Sequence, residues 1–320
     1  MSKYTFVENV IPHLLNWKQQ GLKTTLVTLV DRQGSSPRPI GAQMAINENG
    51  DAVGHIATDC LHDALILEAQ SVMSSKQNKL IRFGKGSPYI DLKLPCGSGI
   101  DLYFDQALSK EHLEKMQTLL SDRKAFTLSM NMSEGRSEIQ EIKKGSKNER
   151  SASNKMIMQR NYFPELQLLI LGNGPTVINM ATLARDVKIK VQICASETDL
   201  QSLARSKGFE TVSDTELKNI AASFVDDFTA VVFLFHDHEK ELPHYQPIVE
   251  KSPFYIGAMG SHTTHEQRLE TLKSLGLKNE ALKKIKGPIG IIPVAKNPDL
   301  LALSVISEIM NEAQNKDFIC

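Results

Sequence analysis

Residues 166–174 read Leu-Gln-Leu-Leu-Ile-Leu-Gly-Asn-Gly, an apolar run that ends in two glycines separated by one residue. A nearly continuous apolar run of this length is typical of a strand buried on both faces of a parallel sheet. Apolar residues then recur with helical spacing from Val177 to Ala184. The stretch therefore predicts a strand, a tight turn and a helix, which is the repeating unit of a parallel α/β domain.

The rest of the second half continues this alternation of strands and helices. Asn297 followed by Pro298 predicts the start of the last helix, and Thr263 with Glu266 has capping-box spacing at the head of a helix over 263–275. Because strands alternate with helices, we assign residues 160–320 to a Rossmann-like, doubly wound parallel sheet. Its further strands are predicted at 189–194, 229–235, 253–258 and 288–292.

The first half mixes short strand-like segments with helical patterns, which predicts an α+β domain over residues 1–150. From Ser129 to about Asn161 the apolar density falls, and the charged stretch 143–151 predicts a solvated loop or linker. The domain boundary is expected near residues 150–165. Strands are predicted at 24–30, 42–46, 52–56 and 100–104, and helices at 5–20, 59–74 and 109–121.

The overall composition limits the classes of function. The 320 residues suffice for two domains, and 41% apolar with 23% charged residues is the profile of a soluble globular protein. Lys plus Arg and Asp plus Glu both number 37, so no overall field would recruit nucleic acid or an anionic membrane. The N-terminus lacks a signal-peptide pattern, and no apolar run approaches the roughly 20 residues that span a bilayer. We expect a cytoplasmic protein with reduced thiols at Cys60, Cys96, Cys194 and Cys320.

The loop at residues 34–41, Gly-Ser-Ser-Pro-Arg-Pro-Ile-Gly, is the first candidate binding element. Its prolines and glycines make a stiff, tightly turning path. Its guanidinium, hydroxyls and backbone N–H groups are those that bind phosphate or another oxyanion. A turn whose polar residues face water is the commoner alternative for such a loop taken alone. The candidate binding residues are Gly34, Ser35, Ser36, Pro37, Arg38 and Gly41.

Two cysteines accompany this loop in the first half. Cys60 lies in the first turn of the predicted helix 59–74, where the positive end of the helix dipole lowers the pKa of a thiol. Cys96 opens the sequence Cys-Gly-Ser-Gly, and Gly97 lets backbone approach a ligand closely. Either cysteine alone is more often a small, buried and inert residue. Two such thiols in the domain that carries the Arg38 loop favour a binding site.

The glycine turn of the second half is an incomplete dinucleotide motif. Gly172, Asn173 and Gly174 stand between a strand and a helix, where the helix N-terminus favours phosphate. The third glycine of the motif is replaced by Val177, and an acidic residue arrives only at Glu197, after the second strand has ended. The motif fits any phosphate-bearing ligand or a simple turn, and NAD(P) chemistry remains an alternative.

Two further predicted strand ends carry polar residues, and ligands of such sheets bind outside the strand carboxyl ends. His236, Asp237 and His238 follow one strand, and Gly260 with Ser261 follows the next. The His-Asp-His cluster has groups for metal binding or proton transfer. Adjacent side chains on one loop rarely face the same ion, so capping or hydrogen bonding is the expected role.

The combination of these motifs resembles the XdhC/CoxI family, the maturation factors of xanthine dehydrogenase and related molybdenum hydroxylases. The resemblance covers nearly the whole chain in the family's order, and its most specific element is the first loop. It is carried in the first half by residues 34–42, Cys60 and residues 96–99, and in the second half by residues 171–174, 236–238, 255–261, 288–290 and 302–304 with Glu308.

The resemblance implies a chaperone rather than a conventional enzyme. Such proteins are thought to hold the molybdenum cofactor, a pterin dithiolene with a terminal phosphate, while a cysteine desulfurase replaces an oxo ligand by sulfur. They then pass the cofactor to a xanthine dehydrogenase-type apoenzyme. In this chain Arg38 with its loop would hold phosphate or pterin oxygens, and Cys60 or Cys96 would contact molybdenum or carry sulfur.

The second half would add a further phosphate contact, with Gly172, Asn173, Gly174, His236, Gly260 and Ser261 as the candidate residues. Two other functions stay open: an NAD(P)-dependent oxidoreductase that uses the Rossmann-like domain, and a pure scaffold. A homodimer is expected, because two-fold dimers are the commonest assembly.

The chain departs from the family around Cys60 and after Ser261. Relatives usually have two glycines before the cysteine and a glutamate two residues after it, where this chain has Thr58-Asp59 and His62. Asp59 would oppose thiolate formation, whereas a protonated His62 would favour it. Position 262 is histidine where the family commonly has arginine. A divergent client, a retuned site and a paralogue without sulfur handling all remain open.

Overall fold

The structure is a computed structural model that describes residues 7–34, 36, 38–56, 61–87, 97–143, 152–153 and 156–319. The chain divides between Pro164 and Glu165 into an N-terminal unit and a C-terminal unit.

The N-terminal unit contains a five-stranded antiparallel sheet in the order β3-β2-β1-β5-β4. Residues along β1 alternate between two cores: Val27 and Leu29 face a cluster covered by α2, and Leu26 and Val30 face the opposite cluster. Both faces are therefore buried, which explains the continuous apolar character of this strand. The elements are α1 (Ile11–Gln19), β1 (Thr24–Gln33), β2 (Gln43–Asn47), β3 (Ala52–Gly54), α2 (His62–Ser75), β4 (Lys79–Gly84), β5 (Gly99–Asp105) and α3 (Lys110–Ser121).

A second antiparallel sheet completes this unit and was not predicted from the sequence. Its order is β7-β6-β9-β8, and β6 has a strict alternation of buried and half-buried residues. Its apolar side chains share a core with α1, α3 and the first sheet. Only every second residue is buried, so the apolar density of the sequence is low here. The strands are β6 (Phe126–Asn131), β7 (Arg136–Glu141), β8 (Ala152–Ser153) and β9 (Ile157–Tyr162).

Two predicted boundaries in this unit need correction. Helix α1 begins at Ile11 rather than near residue 5, because Pro12 suits a helix start, where its missing N–H breaks no hydrogen bond. Strand β3 ends at Gly54, two residues earlier than expected. The predicted helix start at 59–60 and residues 144–151 of the predicted linker lie outside the described residues.

The C-terminal unit is the expected doubly wound parallel sheet, in the order β12-β11-β10-β13-β14-β15. Helices α4, α5 and α10 cover one face, and α6, α7 and α8 cover the other. The strands are β10 (Gln167–Gly172), β11 (Lys190–Cys194), β12 (Glu210–Val212), β13 (Thr229–Leu234), β14 (Tyr255–Ala258) and β15 (Ile285–Lys286). The helices are α4 (Pro175–Asp186), α5 (Thr198–Ser206), α6 (Leu217–Phe224), α7 (Leu242–Val249), α8 (His262–Ser274), α9 (Asn279–Leu282) and α10 (Pro298–Asn315).

The strand predicted at 288–292 is wrong. Only Ile285–Lys286 pairs with β14, and the following residues bond to α10 instead: Gly290 N donates to Glu308 Oε2 at 2.7 Å and Ile292 N to Ser304 Oγ at 2.7 Å. Pro288 has no N–H to give to a sheet, which explains why the apolar run does not extend β15.

The capping predictions for α8 and α10 had different outcomes. Ser261 rather than Thr263 caps α8, accepting a hydrogen bond from Thr264 N at 3.1 Å. Asn297 caps α10 as predicted. None of the described helices has the length and apolar character of a membrane span.

The turn after β10 packs closely against the neighbouring strand β13. Gly172 has φ +142°, and a Cβ there would lie 2.3 Å from Leu234 O of the neighbouring strand. We expect Gly172→Ala to lower the free energy of unfolding of the C-terminal unit by about 3 kcal/mol, through overpacking added to backbone strain. Chemical denaturation followed by circular dichroism measures this loss.

The matched control is Gly208→Ala. Gly208 also has a positive φ, +80°, but no heavy atom lies within 4 Å of the point that a Cβ would occupy. Strain alone should then cost about 1 kcal/mol. Equal losses in the two variants would contradict the packing argument.

Candidate functional site

Strands β1, β3 and β4 end, and β5 begins, at the same end of the five-stranded sheet. Gln33 at the end of β1 and Gly84 at the end of β4 both pair with Gly99, the first residue of β5. Gly54 at the end of β3 pairs with Met44 near the start of β2. The described chain therefore reaches this end of the sheet just before the loop at residues 34–41, a few residues before Cys60 and just after Cys96.

The start of the Arg38 loop lies beside Ser98, the residue that follows Gly97. Gly34 has φ +89°, and a Cβ on it would lie 3.4 Å from Ser98 Cβ, so the first loop starts against the Gly97–Ser98 turn. Ser98 is buried, whereas a Cβ on Gly97 would have no heavy atom of the described residues within 4 Å. Among the described residues, nothing therefore blocks the approach of another group to the backbone at Gly97.

Arg82, which the sequence analysis did not single out, ties these strand ends together. Its Nη2 donates to Gln33 Oε1 at 2.7 Å, its Nε to Lys85 O at 2.8 Å, and its Nη1 to both carboxylate oxygens of Asp101 at 3.1 and 3.0 Å. Burial raises the pKa of Asp101, although the Arg82 charge opposes that rise. Arg82 and Asp101 are oppositely charged residues within largely apolar strands, and this is the sequence signal that could have identified the pair.

Arg38 pairs with a carboxylate from the start of the chain. Its Nη2 lies 2.5 Å from Glu8 Oε2, and its backbone N donates to Ser36 Oγ at 3.4 Å. Arg160 Nη2 lies 3.4 Å from Glu8 Oε1, and Arg160 Nη1 donates to Gly41 O at 2.5 Å. The first loop is therefore held at Arg38 and at Gly41 by partners distant in sequence.

Several predicted residues lie outside the part of the chain that the structure describes, so their roles stay predictions. His62, two residues after Cys60 in the sequence, is the first residue of α2 and is exposed. Within the described residues no group of three His, Cys, Asp or Glu side chains is arranged to hold a metal ion. The predicted residues outside the description are Ser35, Pro37, Thr58, Asp59, Cys60 and Cys96.

The predicted residues of the C-terminal unit line the carboxyl ends of its central strands. Asn173 N bonds to Leu234 O at 3.4 Å, which joins the ends of β10 and β13. Asn173 Nδ2 donates to Ser196 Oγ at 3.0 Å, which joins β10 to the loop after β11. Gly174 has φ +91° and open space where a Cβ would stand. This edge lies where the strand order reverses, the usual ligand position in such sheets.

The same turn disfavours the NAD(P) alternative. Pro175 removes one of the N–H groups that a helix start offers to phosphate, and Val177 N is engaged by Gly174 O at 3.3 Å. Ser196, near the expected position of a ribose-binding acid, is held by Asn173. The local geometry therefore matches a structural βα turn better than a dinucleotide loop.

The His-Asp-His residues do not face one point. His236 is exposed, and Asp237 lies 3.7 Å from Lys240 Nζ. His238 Nδ1 accepts a hydrogen bond from Arg268 Nη2 at 3.2 Å. Each side chain thus has its own surroundings, and only His238 joins a buried network.

Arg268 is the centre of that network. Its Nε bonds to Glu241 Oε1, its Nη2 donates to Met259 O at 2.6 Å, and its Nη1 donates to His265 Nδ1 at 3.3 Å. A Cβ on Gly260 would lie 3.1 Å from Thr264 Cγ2 and 3.4 Å from Arg268 Nη2, so glycine leaves room for Thr264 beside this turn. The sequence analysis missed both Arg268 and Glu241, because a charged residue in a polar helix or in a charged turn is usually at the surface.

The network shifts the pKa values of its members in opposite directions. Burial raises the pKa of Glu241 to about 7, against the attraction of Arg268. Burial and the Arg268 charge lower the pKa values of His238 and His265. Glu241 Oε2 and Tyr245 Oη are buried without a hydrogen-bond partner among the described residues. Burial, with the Glu241 charge, raises the pKa of Tyr245 well above its usual value.

Comparison with known proteins agrees with the architecture of both units. Residues 17–84 match the XdhC and CoxI family, and residues 168–309 match the XdhC Rossmann domain. The molybdenum cofactor insertion chaperone PaoD of Escherichia coli (strain K12) is 33% identical over 289 residues, which cover 90% of this chain and 83% of PaoD. The chain belongs to the XdhC and CoxI family.

Two more distant relatives extend over nearly the whole chain. A probable xanthine dehydrogenase subunit of Bacillus subtilis (strain 168) is 21% identical over 318 residues, covering 90% of this chain and 92% of the relative. The crystal structure of a xanthine dehydrogenase from Bacillus halodurans at 2.80 Å resolution superposes with a TM-score of 0.71. It is 19% identical and covers 95% of this chain and 96% of its own, so it shows a shared fold.

The raised pKa of Glu241 predicts a pH dependence of stability. The folded state keeps a proton that the unfolded chain releases above its ordinary pKa of 4.5, so rising pH favours unfolding until about pH 7. The lowered pKa values of His238 and His265 act in the opposite sense. The unfolding free energy of wild type minus that of Glu241→Gln isolates the effect of the carboxyl group. This difference should fall by about 3 kcal/mol as the pH rises from 4.5 to about 7.

Urea unfolding at a series of pH values, followed by circular dichroism, measures that difference. Glu239→Gln removes an exposed carboxylate two residues earlier and should keep the wild-type pH profile. A difference between wild type and Glu241→Gln that does not change with pH would contradict the shifted pKa.

Proposed function

We propose that this protein binds the molybdenum cofactor through its N-terminal unit and delivers it to a xanthine dehydrogenase-type molybdenum hydroxylase. The observation that carries the proposal is that β1, β3 and β4 end, and β5 begins, at the same end of the five-stranded sheet. The Arg38 loop, Cys60 and Cys96 are the predicted site elements next in sequence to these strand ends. PaoD, 33% identical to this chain, is a molybdenum cofactor insertion chaperone. The protein then acts as a chaperone whose cargo is the cofactor.

The chemistry of the N-terminal segments suits this cargo. Arg38, the hydroxyls of Ser35 and Ser36, and loop N–H groups are suited to phosphate and pterin oxygens. The Cys60 and Cys96 thiols are soft ligands, suited to molybdenum or to carrying sulfur. The open backbone at Gly97 would let the chain approach the flat pterin closely.

The C-terminal unit would hold a second phosphate-bearing group. Its candidate residues, Gly172, Asn173, Gly174, His236, Gly260 and Ser261, lie at the carboxyl ends of β10, β13 and β14. These three strands are neighbours, so one ligand of moderate size would reach all three ends. The open space at Gly174 supports an approach from this side.

The wider pathway follows from the same proposal. A cysteine desulfurase would supply the sulfur that replaces an oxo ligand on molybdenum while the cofactor is bound. The protein would work in the cytoplasm, where its thiols stay reduced, and as a homodimer.

The first experiment measures bound cofactor. The protein is expressed anaerobically in a host that makes the molybdenum cofactor, and the purified protein is assayed for molybdenum by mass spectrometry and for pterin by fluorescence. We expect a near-stoichiometric amount of both in the wild type. Arg38→Ala should reduce it about tenfold or more, since a charge-assisted bond contributes roughly 1.5–3 kcal/mol. Cys60→Ser should also reduce it, because a hydroxyl is a poor replacement for a soft thiolate ligand. Cys96→Ser tests the second thiol.

Matched controls change the same residue types away from the candidate segments. Arg136→Ala removes an exposed arginine of β7, and Cys320→Ser removes a thiol at the other end of the sequence. Both should load like the wild type. Absence of pterin above background, where PaoD loads under the same conditions, would contradict cofactor carriage. A saturable change in NAD(P)H fluorescence on titration would instead support the oxidoreductase alternative.

A further inference from the structure

The carboxylate of Glu8 lies between two guanidinium groups. Arg38 Nη2 lies 2.5 Å from one of its oxygens, and Arg160 Nη2 lies 3.4 Å from the other. Two arginines that converge on the separate oxygens of one anion form the arrangement that proteins use to bind phosphate. In this structure the chain itself provides the anion.

The anion is more exposed than either of the two cations. The side chains of Arg38 and Arg160 are 19% and 8% exposed, whereas that of Glu8 is 40% exposed. An anion from solvent therefore meets the carboxylate first, and replaces it from the outside without opening a core. The exposure makes Glu8 the member of the cluster that is easiest to exchange.

Arg160 is held in place independently of Glu8. Its Nη1 donates to Gly41 O at 2.5 Å, and its guanidinium lies 4.7 Å from the ring centre of Tyr162. Tyr162 Oη in turn donates to Gln43 Oε1 at 2.7 Å. Exchange of the anion would therefore leave this guanidinium in position, which is the preorganisation that an anion site needs.

Glu8 itself stands outside regular structure. It precedes α1, whose first residue Ile11 is tied by its N–H to Asn9 Oδ1 at 3.1 Å. Displacement of the Glu8 side chain therefore breaks no helix or strand hydrogen bond. Arg38, by contrast, belongs to the 34–41 loop that carries the proposed function.

We propose that Arg38 and Arg160 form a binding site for a phosphate monoester, and that Glu8 competes with this ligand for the two guanidinium groups. The inference rests on the proposed function, whose cofactor has a terminal phosphate. A phosphate dianion carries more charge than a carboxylate and has three acceptor oxygens, so it bonds more strongly to two arginines. Glu8 excludes weaker anions and yields to phosphate.

The test compares phosphate binding in wild type, Glu8→Gln and Glu134→Gln. Isothermal titration with inorganic phosphate, against sodium chloride of equal ionic strength, measures the site without the cofactor. Glu8→Gln should bind phosphate about tenfold more tightly, because removal of the competing carboxylate raises the fraction of open sites. Glu134→Gln removes an exposed carboxylate of the β6–β7 turn and should bind like the wild type.

Variants of the arginines give the opposite change. Arg160→Gln should weaken phosphate binding about tenfold or more, and Arg160→Lys should restore only part of it, since lysine lacks the planar fork. Because a buried arginine variant can fail to fold, the decisive result is the gain of affinity in Glu8→Gln, which misfolding does not produce. Unchanged or weaker binding in Glu8→Gln would overturn the proposal and leave the cluster a purely structural ion pair.

Cofactor loading distinguishes the inference from the function on which it rests. If the wild type loads cofactor and Glu8→Gln does not raise the phosphate affinity, the Glu8 proposal is wrong and the function stands. If phosphate binding follows the prediction but no variant loads cofactor, free phosphate or another phosphate monoester is the ligand and the proposed cargo is wrong.

Discussion

The guanidinium of Arg82 bonds at once to the side chain of Gln33, the carboxylate of Asp101 and the carbonyl of Lys85. These partners stand at the end of β1, within β5 and just after β4, so one side chain joins three neighbouring strands. A guanidinium can do this because its N–H donors form a planar fork, whereas the ammonium group of lysine is a point charge. These strands border the Arg38 loop and residues 97–98, whose starting positions therefore depend on Arg82.

Arginines form ion pairs with glutamates in both units, but in two different environments. In the N-terminal unit Arg38 and Arg160 contact the half-exposed carboxylate of Glu8. Solvent screens this carboxylate, which would stay hydrated if another anion replaced it. In the C-terminal unit Arg268 and Glu241 are both buried, and removing one partner would leave a charge without compensation. The first arrangement suits binding, whereas the second holds the turn after β14 in place.

The failures of prediction have local physical causes. The apolar composition of the segment after Lys286 suggested a strand. Pro288 prevents that strand, and the N–H groups of Gly290 and Ile292 bond to α10 instead. The sheet of β6 to β9 was missed because half of its residues face outward, which made a sheet resemble a linker. Ser261 caps α8 two residues before the predicted cap, because both positions have a hydroxyl and only backbone geometry selects one.

The sequence by itself determined the class of fold and the family. The run 166–171 and the alternation after it required a doubly wound sheet, because only a strand covered on both faces buries so many consecutive apolar residues. The motifs around Arg38 and Gly172 have local spacing, so they could be read without a structure. Only the tertiary structure decided which charges meet: Glu8 and Arg160 are 152 positions apart. Ion pairs at such separation leave no periodic signal in a sequence, because the fold alone brings them together.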